Sequence, residues 1–95
     1  MNEVFGDVSV LINKRMYSQA AELLRELSVE QLSPKEKIEY EYLMGICFFE
    51  DTKIDEAISR FETCIEIAKN NALENSIAKV YYEISLSYFS LYTQN

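Results

Sequence analysis

The chain's sole proline, Pro34, stands directly after Ser33 and two residues before Glu36. Serine as N-cap, proline at the first helical position and glutamate three residues past the serine together form a capping box, the clearest helix start in this sequence. Only two glycines accompany that proline in 95 residues, so neither linkers nor low-complexity tracts are expected. No segment alternates apolar and polar residues strictly enough to argue for a strand. The expected fold is all-α.

Five helices are expected, and apolar spacing places them. The first, Asn2 to Asn13, carries Val4, Val8, Leu11 and Ile12 and breaks over Asn13 to Met16. Ser18 is expected to cap the second, which holds Ala20, Ala21, Leu23, Leu24 and Leu27 and runs to about Ser28. The third runs from Pro34 to Phe49 or Glu50, and Asp51-Thr52-Lys53 makes a short turn. Asp55 and Glu56 bring negative charge to the start of the fourth helix and Lys69 brings positive charge to its last turn, both favoured by the helix macrodipole. Asn70-Asn71 stops it, and Leu73 to Tyr92 reads as the fifth.

Size and charge narrow the functional classes. One domain of this length buries only about 60 to 65% of the surface its unfolded chain exposes, so its core is expected to be marginal. Sixteen acidic residues against nine basic ones give a net charge of -7. No Lys/Arg cluster exists beyond Lys14-Arg15, so the electrostatic footprint of a nucleic-acid or anionic-membrane binder is missing. The longest apolar run, Leu43 to Phe49 counting Gly45, falls well short of the about 20 residues a membrane span needs. Met1-Asn2-Glu3 has no basic n-region, and no signal peptide is expected. Cys47 and Cys64 sit in apolar segments, where thiols act as small hydrophobes of a reducing compartment, so the expected location is cytoplasmic.

Candidate chemistry is sparse. The absence of histidine removes Ser-His-Asp and Cys-His pairs and every His-containing metal site. Two cysteines cannot form a four-thiolate zinc site. Glu62 and Glu66, and Glu50-Asp51 with Asp55-Glu56, are paired carboxylates of a kind that hydrolases and hard cations use. Rows of this sort are far more often solvated helix faces, and no glycine bends the chain there as an EF-hand loop requires. No local base or cation activates either cysteine. The expectation is a protein without enzymatic activity, cofactor or metal.

Met44-Gly45, Phe48, Ala57 and Phe61, with Cys64 following, fit the L-G-x2-Y and A-x3-F elements of a tetratricopeptide repeat, and the chain resembles that family. Gly45 and Ala57 let two antiparallel helices approach closely, while Phe48 and Phe61 fill the space between that hairpin and its neighbour. Weaker echoes flank the unit: Tyr17, Ala20, Leu24 and Leu27 upstream, with Ala20 37 residues before Ala57, and Tyr81, Ile84, Ser85 and Tyr88 downstream, with Ser85 40 residues after Gly45. The resemblance implies a right-handed solenoid of antiparallel hairpins, divided into residues 1–33, 34–71 and a half unit 72–95. Glu41, Lys69 and Ser85 depart from the family pattern, where a bulky Trp or Leu, a proline and a glycine are usual. The stretched period and the Tyr-rich last helix are also similar to the repeats of Rap and PlcR type peptide-pheromone regulators, although the accompanying helical bundle or DNA-binding domain is absent from this sequence.

Two surfaces stand out. On the fifth helix Ile77, Val80, Tyr81, Ile84, Tyr88, Leu91 and Tyr92 form one face, expected to pack on helix four, and Ala78, Tyr82, Leu86 and Phe89 form a second stripe beside it. Only Lys79, Glu83, Ser87 and Ser90 are left for water, although the helix capping an array is normally polar outside. The resemblance further implies a concave surface lined by Glu39, Tyr42, Leu43, Ile46, Phe49 and Glu50 from helix three. Lys79, Tyr82, Glu83, Leu86 and Phe89 join from helix five, and Phe5, Ser9, Ile12 and Asn13 from helix one. Family members that grip a carboxylate-ended peptide place Lys and Asn where this chain has Phe5, Ser9, Tyr42, Ile46, Tyr82 and Leu86, so that clamp is not expected. An apolar peptide with a basic flank, or an amphipathic helix, suits an aromatic groove with an acidic rim better. Tyr42, Phe49, Tyr82 and Phe89 are the expected anchors, with Glu39, Glu50 and Glu83 selecting basic partners. The expected partners are a protein or peptide and a second copy of the chain, dimerised through helix five. The alternative is a sensor or inhibitor that sequesters a signalling protein or a peptide pheromone.

Overall fold

The computed structural model describes residues 3–93, the side chains of residues 76, 91 and 92 excepted. Its α-helices are α1 (Glu3–Asn13), α2 (Tyr17–Arg25), α3 (Pro34–Glu50), α4 (Ile54–Asn70) and α5 (Ala78–Thr93), with short 3-10 turns at Val29–Gln31 and Glu74–Ser76. No strand occurs among the described residues. Each helix packs on the next, α3 on α4 most extensively, and α1 also touches α3.

Local chemistry explains most boundaries. The backbone N–H of Ser33 donates to Glu36 Oε1 at 3.0 Å, and the N–H of Glu36 donates to Ser33 Oγ at 3.2 Å, which completes the capping box. These bonds hold the Glu36 carboxyl below its usual range. Helices α1, α3 and α4 all close the same way without glycine. Arg15, Thr52 and Ala72 take left-handed φ values of 62°, 62° and 55°. The following N–H groups, of Met16, Lys53 and Leu73, reach back to Leu11, Phe48 and Ala68 carbonyls at 2.9, 2.9 and 2.8 Å, the six-to-one bond of a Schellman motif. Arg15 to Thr52 is an interval of 37 residues, the same as Ala20 to Ala57 and Leu24 to Phe61, four side chains that are all fully buried. The backbone and the core therefore recur together at that interval.

Three boundaries differ from expectation. Met16, not Ser18, is the N-cap of α2, and it makes no side-chain bond; Ser18 lies inside the first turn. The Schellman closure of α1 at Arg15 leaves room for the next helix to begin at once, before the serine is reached. Helix α2 ends at Arg25, short of Ser28, because the chain turns through Val29–Gln31 to bury Leu32. Helix α5 begins at Ala78 and not at Leu73. The left-handed Ala72 redirects the chain, and Leu73 packs back on the core before the helix starts. Asn2, the expected first residue of α1, lies outside the described residues.

Two clusters form the interior. Phe5 and Val8 of α1, Ala20, Ala21 and Leu24 of α2, and Leu43, Met44 and Cys47 of α3 belong to the first. The second joins Ile38 of α3, Ala57, Phe61, Cys64 and Ala68 of α4, and Ile77 and Val80 of α5. Helix α3 serves both, and its Tyr42 and Phe48 pack against both. At the α3–α4 crossing the ring of fully buried Phe61 lies on bare Gly45: a Cβ there would sit 2.8 Å from Cδ1 and 2.9 Å from Cζ. Phe48 is half-buried, with the Arg60 guanidinium 5.6 Å from its ring centroid. Arg60 also donates to both Glu41 oxygens, at 3.3 and 3.2 Å. The glutamate that departs from the repeat pattern thus ties α3 to α4 through a partly buried ion pair in which one guanidinium nitrogen serves both carboxylate oxygens.

Candidate interaction surface

Helices α3 and α5 flank α4, and one side chain spans the groove between them. Lys79 of α5 reaches Glu39 of α3 at 3.2 Å, with its ammonium 4.3 Å from the centroid of the Tyr42 ring. Burial pushes the Tyr42 phenol up to about 12, and the Glu83 and Glu39 charges add to the shift. Farther along α5, the Glu83 carboxyl is raised by partial burial first and by the charge of Glu50 second. Ile46 and Phe49 are half-buried and pack on the second cluster. Glu39 and Tyr42 of α3 thus meet Lys79 of α5, and Ile46 and Phe49 pack on the cluster that α5 joins, while Glu50 also lines a separate cavity beside α2. Tyr42 and Phe49, the expected α3 anchors, already spend part of their surface on this chain's own core.

Tyr82, Leu86 and Phe89 lie on the outer side of α5, where they are 64%, 36% and 66% exposed. Tyr81 and Tyr88, expected against α4, are half exposed on the same side. Ile77, Val80 and Ile84, expected on the face toward α4, do pack there, and Ser87 joins them. Ser87, expected in water, is fully buried, and its hydroxyl donates to the Glu83 carbonyl at 2.8 Å. A serine satisfied by its own helix is inexpensive to bury, so Ser87 can join Ile77, Val80 and Ile84 on the packed face. The spacing of Val80, Ile84 and Ser87 carried the signal, hidden by counting serine as polar. Leu91 and Tyr92, expected on the packing face, lie outside the described side chains.

Two groove assignments are corrected. Phe5 and Leu43 are buried in the first cluster, where α1, α2 and α3 meet. The cysteines are buried and free. Burial pushes Cys47 up to about 11 and Cys64 to about 12, and the Cys64 thiol donates to the Ile38 carbonyl at 3.4 Å. Both stay protonated at neutral pH and are poor nucleophiles. A cavity of about 370 Å³, absent from the sequence reading, opens between α2 and the α3–α4 turn. Arg15, Arg25, Lys53, Glu22, Glu50 and Asp51 are among its lining residues, and Lys53 pairs with Asp51 at 3.6 Å. No three acidic or cysteine residues gather to hold a metal ion among the described residues, and no described helix is long and apolar enough to cross a membrane. Comparison with protein-family models, with curated proteins and with solved structures gives no match.

Proposed function

We propose that the protein is a non-enzymatic interaction module, built as a tetratricopeptide-like array, that holds another polypeptide against α5 and the α3–α5 groove. The observation that carries this reading is the outer face of α5, where Tyr81, Tyr82, Leu86, Tyr88 and Phe89 stand exposed together. Scattered exposed apolar residues need no explanation, but a contiguous patch of aromatics marks a contact surface. The 37-residue recurrence of buried positions and helix ends, with Gly45 seated on Phe61, supports the array. Glu39, Glu50 and Glu83 at the groove favour an amphipathic helix or apolar peptide with a basic flank. Such a module acts in the cytoplasm, apart from nucleic acid and membranes.

Selection from a displayed library of helical peptides tests this. The expected outcome is enrichment of peptides with apolar residues four apart and a flanking Lys or Arg, whose binding weakens with salt and is lost in the Leu86→Glu/Phe89→Glu double variant. Absence of enrichment, or equal enrichment by a folded double variant, overturns the reading.

A further inference from the structure

Residues 81–89 read Tyr-Tyr-Glu-Ile-Ser-Leu-Ser-Tyr-Phe. An aromatic pair stands at each end, and Ser85 lies at the centre. Seven residues separate Tyr81 from Tyr88 and Tyr82 from Phe89, so at about 100° per residue each pair lines up within about 20° on the helix. Ser85 projects between the two rows. Its hydroxyl donates to the Tyr81 carbonyl of its own helix at 3.1 Å, so it brings no unpaired donor to a contact. A small, satisfied residue flanked symmetrically by large apolar ones is a self-complementary pattern.

We infer that this face pairs with a second copy of itself: two α5 helices cross antiparallel about a twofold axis at Ser85. Tyr82 of one copy meets Phe89 of the other, and Tyr81 meets Tyr88. A twofold axis of this kind brings residue i against j and j against i, which the sequence order of the aromatics satisfies without a register shift. The inference rests on reading α5 as an interaction surface and names its occupant.

Charge and area both favour a copy. The charged residues of α5 among those described are Lys79 and Glu83, and both turn toward the groove, Lys79 to pair with Glu39. Two chains of charge -7 can therefore meet here without setting carboxylates face to face. A basic partner would find nothing on this face to pair with. The exposed portions of the four aromatics and Leu86 amount to about 500 Å² per chain, given the 150–250 Å² an aromatic side chain buries. Two such faces supply about 1,000 Å², the lower bound for a specific interface.

The test is sedimentation equilibrium of the full chain over a wide concentration range, in low and high salt. The parent is expected to be a reversible dimer whose association is unchanged or strengthened by salt. Ser85→Lys and Ser85→Glu each set like charges across the axis and are expected to lower the association constant about a hundredfold. Mixed in equal amounts, the two variants are expected to recover the dimer. Ser85 is exposed and both replacements suit a helix, so circular dichroism should match the parent in each. A parent monomeric at every concentration overturns the inference; if it still enriches displayed peptides, the module reading stands and the face belongs to a foreign helix. Single variants that associate like the parent, or a mixture that fails to recover the dimer, overturn the axis at Ser85.

Discussion

Helices α3 and α5 stand on either side of α4, and both carry apolar residues around most of their circumference, yet their surroundings differ. Helix α3 has α2 on one side and α4 on the other, and it shares its side chains between two cores. Gly45 marks its closest crossing, with the Phe61 ring filling the space a side chain would take. Helix α5 has α4 on one side. Ser85, forty residues after Gly45, marks a face that no described helix covers. A broad apolar arc is thus explained within the chain when two neighbours bury it, and the same arc with one neighbour leaves aromatic surface exposed.

The largest effect expected from this contrast is at Phe61. Phe61→Ala removes a fully buried ring from the α3–α4 crossing and should lower stability by about 3–5 kcal/mol, enough to unfold a marginal domain. In dilute protein Phe89→Ala should change it by less than about 0.5 kcal/mol. Thermal melts followed by circular dichroism compare the two.

The small residues Gly45 and Ser85 sharpen the contrast because alanine at each is expected to act with opposite sign. Helix propensity favours alanine over glycine by about 1 kcal/mol. Overpacking against Phe61, whose ring has no exposed side to swing toward, costs about 1–3 kcal/mol. Gly45→Ala should therefore destabilise in denaturant titration. Ser85→Ala meets no such wall and should stabilise by a few tenths of a kcal/mol, roughly the propensity difference.

The smallest effect is electrostatic. The Glu83 carboxyl is raised in the folded state, so the folded chain holds its proton more tightly than the unfolded one. Stability then falls as pH rises from the ordinary glutamate value of 4.5 through the raised folded value. Glu83→Gln should relieve that loss at neutral pH. Glu36 has the opposite sign: its lowered value contributes stability above 4.5 that is lost as pH falls through the folded value. Denaturant midpoints in acid and neutral buffer for Glu83→Gln and Glu36→Gln should shift in opposite directions.

Much of the helical framework was legible because it rests on local chemistry. Ser33, Pro34 and Glu36 place the start of α3 to the residue, and Asp51-Thr52-Lys53 the turn after it. Gly45, Ala57 and Phe61 announce a close crossing through their sizes alone. What escaped depends on tertiary partners or on conformations that composition conceals. Ala72 in a left-handed conformation delays α5, and nothing about alanine signals it. Ser87 buries its hydroxyl against its own backbone, although hydropathy scores it as exposed, while Tyr81 and Tyr88 stand half exposed. Phe5 and Leu43 look equally suited to a groove or a core until the packing of α1, α2 and α3 together is known.

The most direct test of the contrast is the thermal unfolding midpoint of the parent chain measured over serial dilution. A face completed by a second copy couples folding to association, so the midpoint should rise with protein concentration, while that of Ser85→Glu should begin to rise only at about a hundredfold higher concentration. A parent midpoint independent of concentration, superimposable on that of Ser85→Glu, would contradict the claim that α5 is completed by a second molecule of this chain.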